Sequence, residues 1–202
     1  MIGSVDGASP VIHPDAWVAP GAVVVGQVTL GRGTSVSYGS VLRGDADEII
    51  VGADCNIQDL CCLHTDEGEP AVVADRVSLG HRATVHGAQV DEGALVGIGA
   101  IVLGRARIGP GALVAAGTVV LPGTLVPGGV LYAGVPGRVV RELTDRDRAT
   151  FAGTPAHYRE RPSGTAGRNG RTAPPGRPRV GPALPPHHPY GVVLYVSRVV
   201  RK

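Results

Sequence analysis

The side chains of this 202-residue chain with the means to do chemistry crowd into one stretch. Cys61, Cys62 and His64 run directly into an acidic segment holding Asp66, Glu67 and Glu69, and His81 and His86 follow in "HRATVH". Three chemistries are open to such a set. It could be a mixed cysteine–histidine metal site, a dithiol redox pair, or three histidines around a metal with the cysteines uninvolved. The choice depends on where the chain aims each side chain, and therefore on the elements that carry them.

Those elements are set by a repeat. Reading every sixth residue gives Ile12, Val18, Val24, Leu30, Val36 and Leu42, then, after an insertion, Val51, Ile57 and Leu63. After a second insertion the series continues at Val73, Leu79 and Val85. One five-residue step leads to Val90, and the series then runs through Val96, Val102, Ile108, Val114, Val120 and Val126 to Tyr132. Nineteen of these twenty positions are aliphatic, and the residue two before each is usually small. Gly or Asp often precedes that small residue (Gly21, Gly33, Gly39, Asp54, Gly93, Gly99, Gly111, Gly117), and both types tolerate the left-handed backbone of a corner. A period of six fits neither the 3.6 of a helix nor the alternation of a sandwich strand, and disorder would not hold its phase over so many residues. The pattern predicts an all-β fold, a parallel β-helix of hexapeptide repeats with six to seven coils spanning residues 1–137. Residues 138–161 are expected to form a C-terminal helix packing on the β-helix, opened by Thr144 with Asp145 and Asp147 in its first turn. Residues 162–202, rich in Pro, Gly and Arg, read as a disordered basic tail that closes on the apolar "GVVLYVSRVV".

The same phasing sorts the chemistry. The sixfold residue and the one two before it point inward, so Cys55 and Cys61 are small core residues and Cys62 faces outward alone. Cysteine–metal and redox roles are set aside. His64 and His86 each follow an inward aliphatic, Leu63 and Val85, that lie one coil apart, so they stack on one face about 4.8 Å from each other. One coil earlier the same position is Arg43. His81 belongs to the unit of Leu79 on the preceding face, together with Gln58, Asp59 and Tyr132. Half-sites on two faces of a prism meet most simply when a second subunit docks face to edge. A homotrimer would hold three sites, each with His64 and His86 from one chain and His81 from the next. Three neutral imidazoles leave an open position on zinc, the arrangement of a catalytic site, and iron(II) or cobalt(II) would also accept them.

Composition narrows the partners. From Arg161 onward there are eight basic and no acidic residues, so residues 1–160, with 11 basic and 17 acidic groups, carry about −6. The basic character belongs to the tail, and nothing calls for nucleic-acid binding by the core. No run approaches eighteen apolar residues, the N-terminus lacks a signal-peptide pattern, and an odd cysteine count suits a reducing compartment. The expectation is a cytoplasmic protein with no membrane partner.

Taken in order, "RGD" (Arg43 to Asp45), "NIQD" (Asn56 to Asp59), "LH" at His64, "GHRATVH" (His81, His86) and "LYAGVP" around Tyr132 resemble the gamma-class carbonic anhydrases. The resemblance covers residues 10 to about 161. It implies a left-handed β-helix, a trimer, and a Zn²⁺ site (Fe²⁺ or Co²⁺ possible) formed by His64, His81 and His86 across the subunit interface. It also implies reversible hydration of CO₂ to bicarbonate by a zinc-bound hydroxide. Gln58 would hydrogen-bond that hydroxide with Tyr132 close by, and Arg43 would pair with Asp59 of the neighbouring subunit. Asp45 and Asn56 would steady these groups. Ala46, directly after Asp45, departs from the family, whose best-known member has an acidic residue there and a longer acidic loop with a proton-shuttling glutamate. In this chain Glu67 takes the shuttle position. Alternatives are a related metal-binding hydrolase such as a thioesterase, a low-activity metal-binding trimer, and, with a single histidine base, a hexapeptide acyltransferase.

Overall fold

The structure is a computed structural model in which residues 1–152 are described. Short parallel strands wind into about seven coils around three faces. The first face stacks Trp17–Val18, Ser35–Val36, Asn56–Ile57, Ser78–Leu79, Leu95–Val96, Leu113–Val114 and Val130–Gly134. The second stacks Cys62–His64, Thr84–His86, Ile101–Val102 and Val119–Val120 on the leading halves of two longer strands, Val23–Leu30 and Val41–Val51. The trailing halves of those two strands turn the corner unbroken onto the third face, where Val11–Ile12, Ala71–Val73, Gln89–Val90, Arg107–Ile108 and Leu125–Val126 complete the stack.

The inward series forms the core. Eighteen of the twenty sixfold positions are buried, and the other two, Ile12 and Val18, pack partly buried against the first coils. Each fully buried aliphatic of this size removes surface worth roughly 1.5–3 kcal/mol from water. The small residues two before them, Cys55 and Cys61 included, are buried apart from the half-buried Ala16 and Thr124, and Cys62 is exposed. Thr34 and Ser40, at the same position, donate hydroxyls to Gly52 O (2.7 Å) and Gln58 O (2.8 Å), so polar side chains also satisfy the corners. The left-handed backbone foreseen at the corners is present at Asp54 (φ 56°) and at all seven glycines named for it.

The two insertions stack on one another. The first lengthens Val41–Val51 to 11 residues, and the second makes a turn in which Glu69 N–H donates to Asp66 O at 2.9 Å. Buried Thr65 ties them together. Its hydroxyl accepts from Asp47 N–H (3.0 Å) and donates to Asp47 O (3.1 Å).

The C-terminal helix opens at Thr144 as expected, but residues 138–142 before it are a strand. Gly137–Glu142 is a strand that folds back antiparallel on Val130–Gly134. The last coil of a β-helix presents an unpaired row of backbone groups, and this strand supplies their partners. The helix is Asp145–Ala152. Its start is a capping box in which Thr144 Oγ1 accepts from Asp147 N–H (3.2 Å) and the Asp147 carboxylate accepts from Thr144 N–H (2.8 Å). Arg141 clamps the same carboxylate with contacts of 2.6 and 3.2 Å. Those donors outweigh desolvation and hold the Asp147 carboxyl far below the usual range. Among the described residues no helix is long and apolar enough to cross a membrane. The remainder of 138–161 and the tail 162–202 lie outside the described residues.

Candidate metal centre

Arg43, His64 and His86 are neighbours in register on the second face, Arg43 opposite His64 and His64 opposite His86. The phase of the repeat therefore brings the two imidazoles together. Their ring centroids are 5.0 Å apart, and Nδ1 of His64 lies 3.0 Å from Nε2 of His86. Two zinc–nitrogen bonds of 2.0–2.1 Å at a tetrahedral angle would set those nitrogens about 3.3 Å apart, so a small opening of the pair admits the ion.

Behind His64 stands a carboxylate. Asp45 Oδ1 accepts from His64 Nε2–H at 3.1 Å, which leaves the Nδ1 lone pair directed at His86 Nε2. Burial pushes the Asp45 carboxyl up, but hydrogen bonds from Arg43, its own backbone and His64 prevail and hold it below its ordinary range. Arg43 bonds Asp45 within its own chain. Asp59, whose copy in a neighbouring subunit is the partner foreseen for Arg43, lies within its own chain 3.2 Å from His81 Nδ1 and accepts from Tyr38 N–H at 3.2 Å.

His81 lies one strand earlier than His86, at a corner beyond the first face. It heads a polar chain, since its backbone N–H donates to Gln58 Oε1 (3.2 Å), Gln58 Nε2 donates to Asn56 Oδ1 (3.1 Å) and Asn56 Nδ2 donates to Ser78 Oγ (2.7 Å). Gln58 and Asn56 are buried and His81 is partly exposed. The residues following Asp59 and His81 are Leu60 and Arg82, both at positive φ without being glycine (62° and 61°). Tyr132 shares the first face but lies three coils beyond Leu79, by way of Val96 and Val114. Its ring is buried and its hydroxyl donates to Gly137 O at 2.7 Å. Within the chain Tyr132 does not meet the imidazoles.

The acidic loop approaches the pair through Asp66. Glu67 occupies the exposed tip, whereas Asp66 Oδ2 lies 3.7 Å from His86 Nδ1. His64, Asp66 and His86 offer donor atoms all within 4.8 Å of one another. Asp66 lies beyond the strand Cys62–His64, in the second insertion, where the repeat assigns no position. The cysteines stay apart from this chemistry. Burial pushes the Cys55 thiol up to about 11 and the Cys61 thiol up to about 12, and they donate to Ala74 O (3.0 Å) and Gly80 O (3.1 Å).

Residues 9–44 match the family described as bacterial transferase hexapeptide (six repeats). The chain is 52% identical over 136 residues to a probable carbonic anhydrase of Methanocaldococcus jannaschii, covering 67% of this chain and 86% of that one. It is 46% identical over 156 residues to gamma carbonic anhydrase 3, mitochondrial, of Arabidopsis thaliana, covering 74% of this chain and 60% of that longer protein. Among solved structures, one described as a putative acetyltransferase from Bacillus cereus superposes with a TM-score of 0.78 at 34% identity, over 79% of this chain and 92% of that one. The hexapeptide coil is thus shared with proteins of more than one description, while the higher identity, 52% over most of both chains, joins this one to the first group. This chain belongs to the gamma-class carbonic anhydrase family of hexapeptide-repeat proteins.

Proposed function

We propose that this protein catalyses the reversible hydration of CO₂ to bicarbonate at a metal held by His64 and His86 of one chain and His81 of a neighbour in a homotrimer. The observation that carries the reading is the convergence of His64 Nδ1 and His86 Nε2 at 3.0 Å, with Asp45 fixing the His64 ring from behind. Bound there, zinc supplies hydroxide at neutral pH by acidifying a coordinated water; iron(II) or cobalt(II) would fit the same donors.

The chain's own residues do the rest. Asp45, paired with Arg43, keeps the proton of His64 on Nε2 and its Nδ1 lone pair toward the centre. Gln58 has its amide oxygen occupied by His81 N–H and one N–H by Asn56. Its second N–H remains to donate to a reacting oxygen, stabilising charge that develops there. Asn56, anchored on Ser78, prevents that amide from turning over. His81, placed on a different face from the pair and partly exposed, supports completion of the site by a second chain, and Asp59 at its Nδ1 leaves Nε2 as its ligating nitrogen. A trimer in the cytoplasm remains part of this proposal, as do the CO₂ substrate and the identity of the metal.

A single-histidine acyltransferase, the reading suggested by the description of the Bacillus cereus structure, has no use for two imidazoles in contact with a carboxylate behind one of them. Stopped-flow CO₂ hydration by the metal-loaded full chain tests the proposal, alongside metal content and sedimentation. Wild type is expected to hydrate CO₂ as a trimer with about one metal per chain. His86→Ala is expected to lose metal and activity together. Metal-loaded wild type without hydration above buffer would refute the proposal.

A further inference from the structure

The second insertion is built as a holder. Glu69 forms an ion pair with Arg105 at 3.1 Å and is mostly buried. It sits against Gly87 and Gly104, where an added Cβ would come within 3.0 Å of Glu69 Cβ and 2.3 Å of Glu69 Oε2 respectively. Those two glycines leave the room that Glu69 fills. At the other end of the turn, Thr65 is locked to Asp47 of the first insertion. The loop is therefore pinned on both sides, and Gly87, against which Glu69 rests, is the residue next to His86. What the pinned loop presents is Asp66, 3.7 Å from His86 Nδ1.

The arrangement on the two sides of the pair is parallel. Asp45 from the first insertion stands behind His64 at Nε2, and Asp66 from the second stands behind His86 at Nδ1. In each ring the carboxylate addresses the nitrogen that does not face the other imidazole. At 3.7 Å the Asp66 carboxylate stands next to His86 Nδ1 but beyond hydrogen-bond length; once a metal replaces the direct 3.0 Å contact of the two rings, that carboxylate drawn in to Nδ1 would hold the proton there and leave the Nε2 lone pair for the ion. We infer that Asp66 is the positioning residue of His86, fixing its tautomer and ring direction toward the metal, and that the role Glu67 was expected to have in the loop does not extend to metal binding. This rests on the metal-centre reading above and assigns to it a residue the sequence pattern passed over. Because Asp66 is 63% exposed, its replacement does not threaten the fold.

The test is the affinity of the purified full-length protein for Co²⁺, measured by competition with a chromogenic chelator. Asp66→Ala is expected to weaken binding about 10–100-fold. Asp66→Asn, whose Oδ1 still accepts from Nδ1–H, is expected to restore most of it. Glu67→Ala, which removes the same charge from the same turn without touching an imidazole, is expected to bind as wild type. The inference is overturned if Asp66→Ala binds like wild type, or if Asn rescues no better than Ala. It is equally overturned if Glu67→Ala is as weak as Asp66→Ala, since loop charge alone would then explain the effect. His86→Ala separates the two levels. If it binds Co²⁺ as wild type, the metal centre itself is misplaced; if it abolishes binding while Asp66→Ala does not, only the role of Asp66 fails.

Discussion

Gly44 sits between the two residues that steady His64, and replacing it with alanine tests how tightly the first insertion holds the metal centre. A Cβ on Gly44 would lie 2.6 Å from Gln27 O and 3.1 Å from Asp47 O. Both obstacles are backbone, so neither can swing aside as a side-chain tip would. Reaching ordinary contact requires the strands to part by about 0.8 Å or more. Gly44 is paired with Gly26 at a register shift of the strand pair Val23–Leu30 and Val41–Val51, where little slack exists to absorb the movement. Overpacking of this kind costs about 1–3 kcal/mol. The same displacement moves Asp45, the next residue, and its 3.1 Å contact with His64 Nε2 is stretched toward the limit of a hydrogen bond. Losing a carboxylate behind a ligating imidazole lowers metal affinity about 10–100-fold. Urea unfolding and Co²⁺ competition measure the two effects. Gly99→Ala is the control, for Gly99 has φ +65° and nothing within 4 Å of an added Cβ. Its cost should be the roughly 1–2 kcal/mol of left-handed backbone, with metal affinity unchanged. The reasoning is refuted if Gly44→Ala keeps wild-type stability and affinity, or if Gly99→Ala loses as much affinity.

Two further outcomes follow from the titratable groups in the fold. Burial raises the Cys55 and Cys61 thiols from 9.0 to about 11 and about 12, so between those limits the unfolded chain has released protons that the folded chain keeps. Stability is therefore full below pH 9 and should fall as pH rises, by up to about 1.4 kcal/mol per pH unit for each thiol, in pH-dependent urea melts. The Cys55→Ala, Cys61→Ala double variant should lack that slope. At the other end, the Asp147 carboxyl lies far below its ordinary range because Arg141 and Thr144 donate to it. Its contribution is present above the ordinary carboxylate range and is lost as pH falls through the depressed value. Asp147→Ala should abolish protection of the 144–148 amides in hydrogen exchange at neutral pH, which acid does to wild type only well below pH 4.

How much of this was legible follows from the one-dimensional character of the fold. In a coil whose neighbours are its own repeats, spacing along the chain is position in space. Hence the inward series, the burial of Cys55 and Cys61, and the register of Arg43, His64 and His86 could all be counted off. Counting fails where the chain leaves the period. The two insertions hold residues that no sixfold step locates, so the approach of Asp66 rather than Glu67 to His86 depended on a turn pinned by Glu69, Arg105 and Thr65. The pairing of Arg43 with Asp45 likewise depends on the first insertion, where the two lie two residues apart on the same exposed side of the strand. Gly137–Glu142 became a strand because the open edge of the last coil demanded partners, a requirement that belongs to the end of a stack and not to any six-residue unit.

By itself, then, the order of residues determined the coil, its three faces, its core and the stacking of two imidazoles, since each is a consequence of a period and a strand spacing. Only the tertiary structure decided which nitrogen of each ring looks toward its neighbour, which acid stands behind it and how far along the prism Tyr132 lies. Those depend on where irregular segments land when packed against one another, and packing is a property of the folded surface that no local spacing encodes.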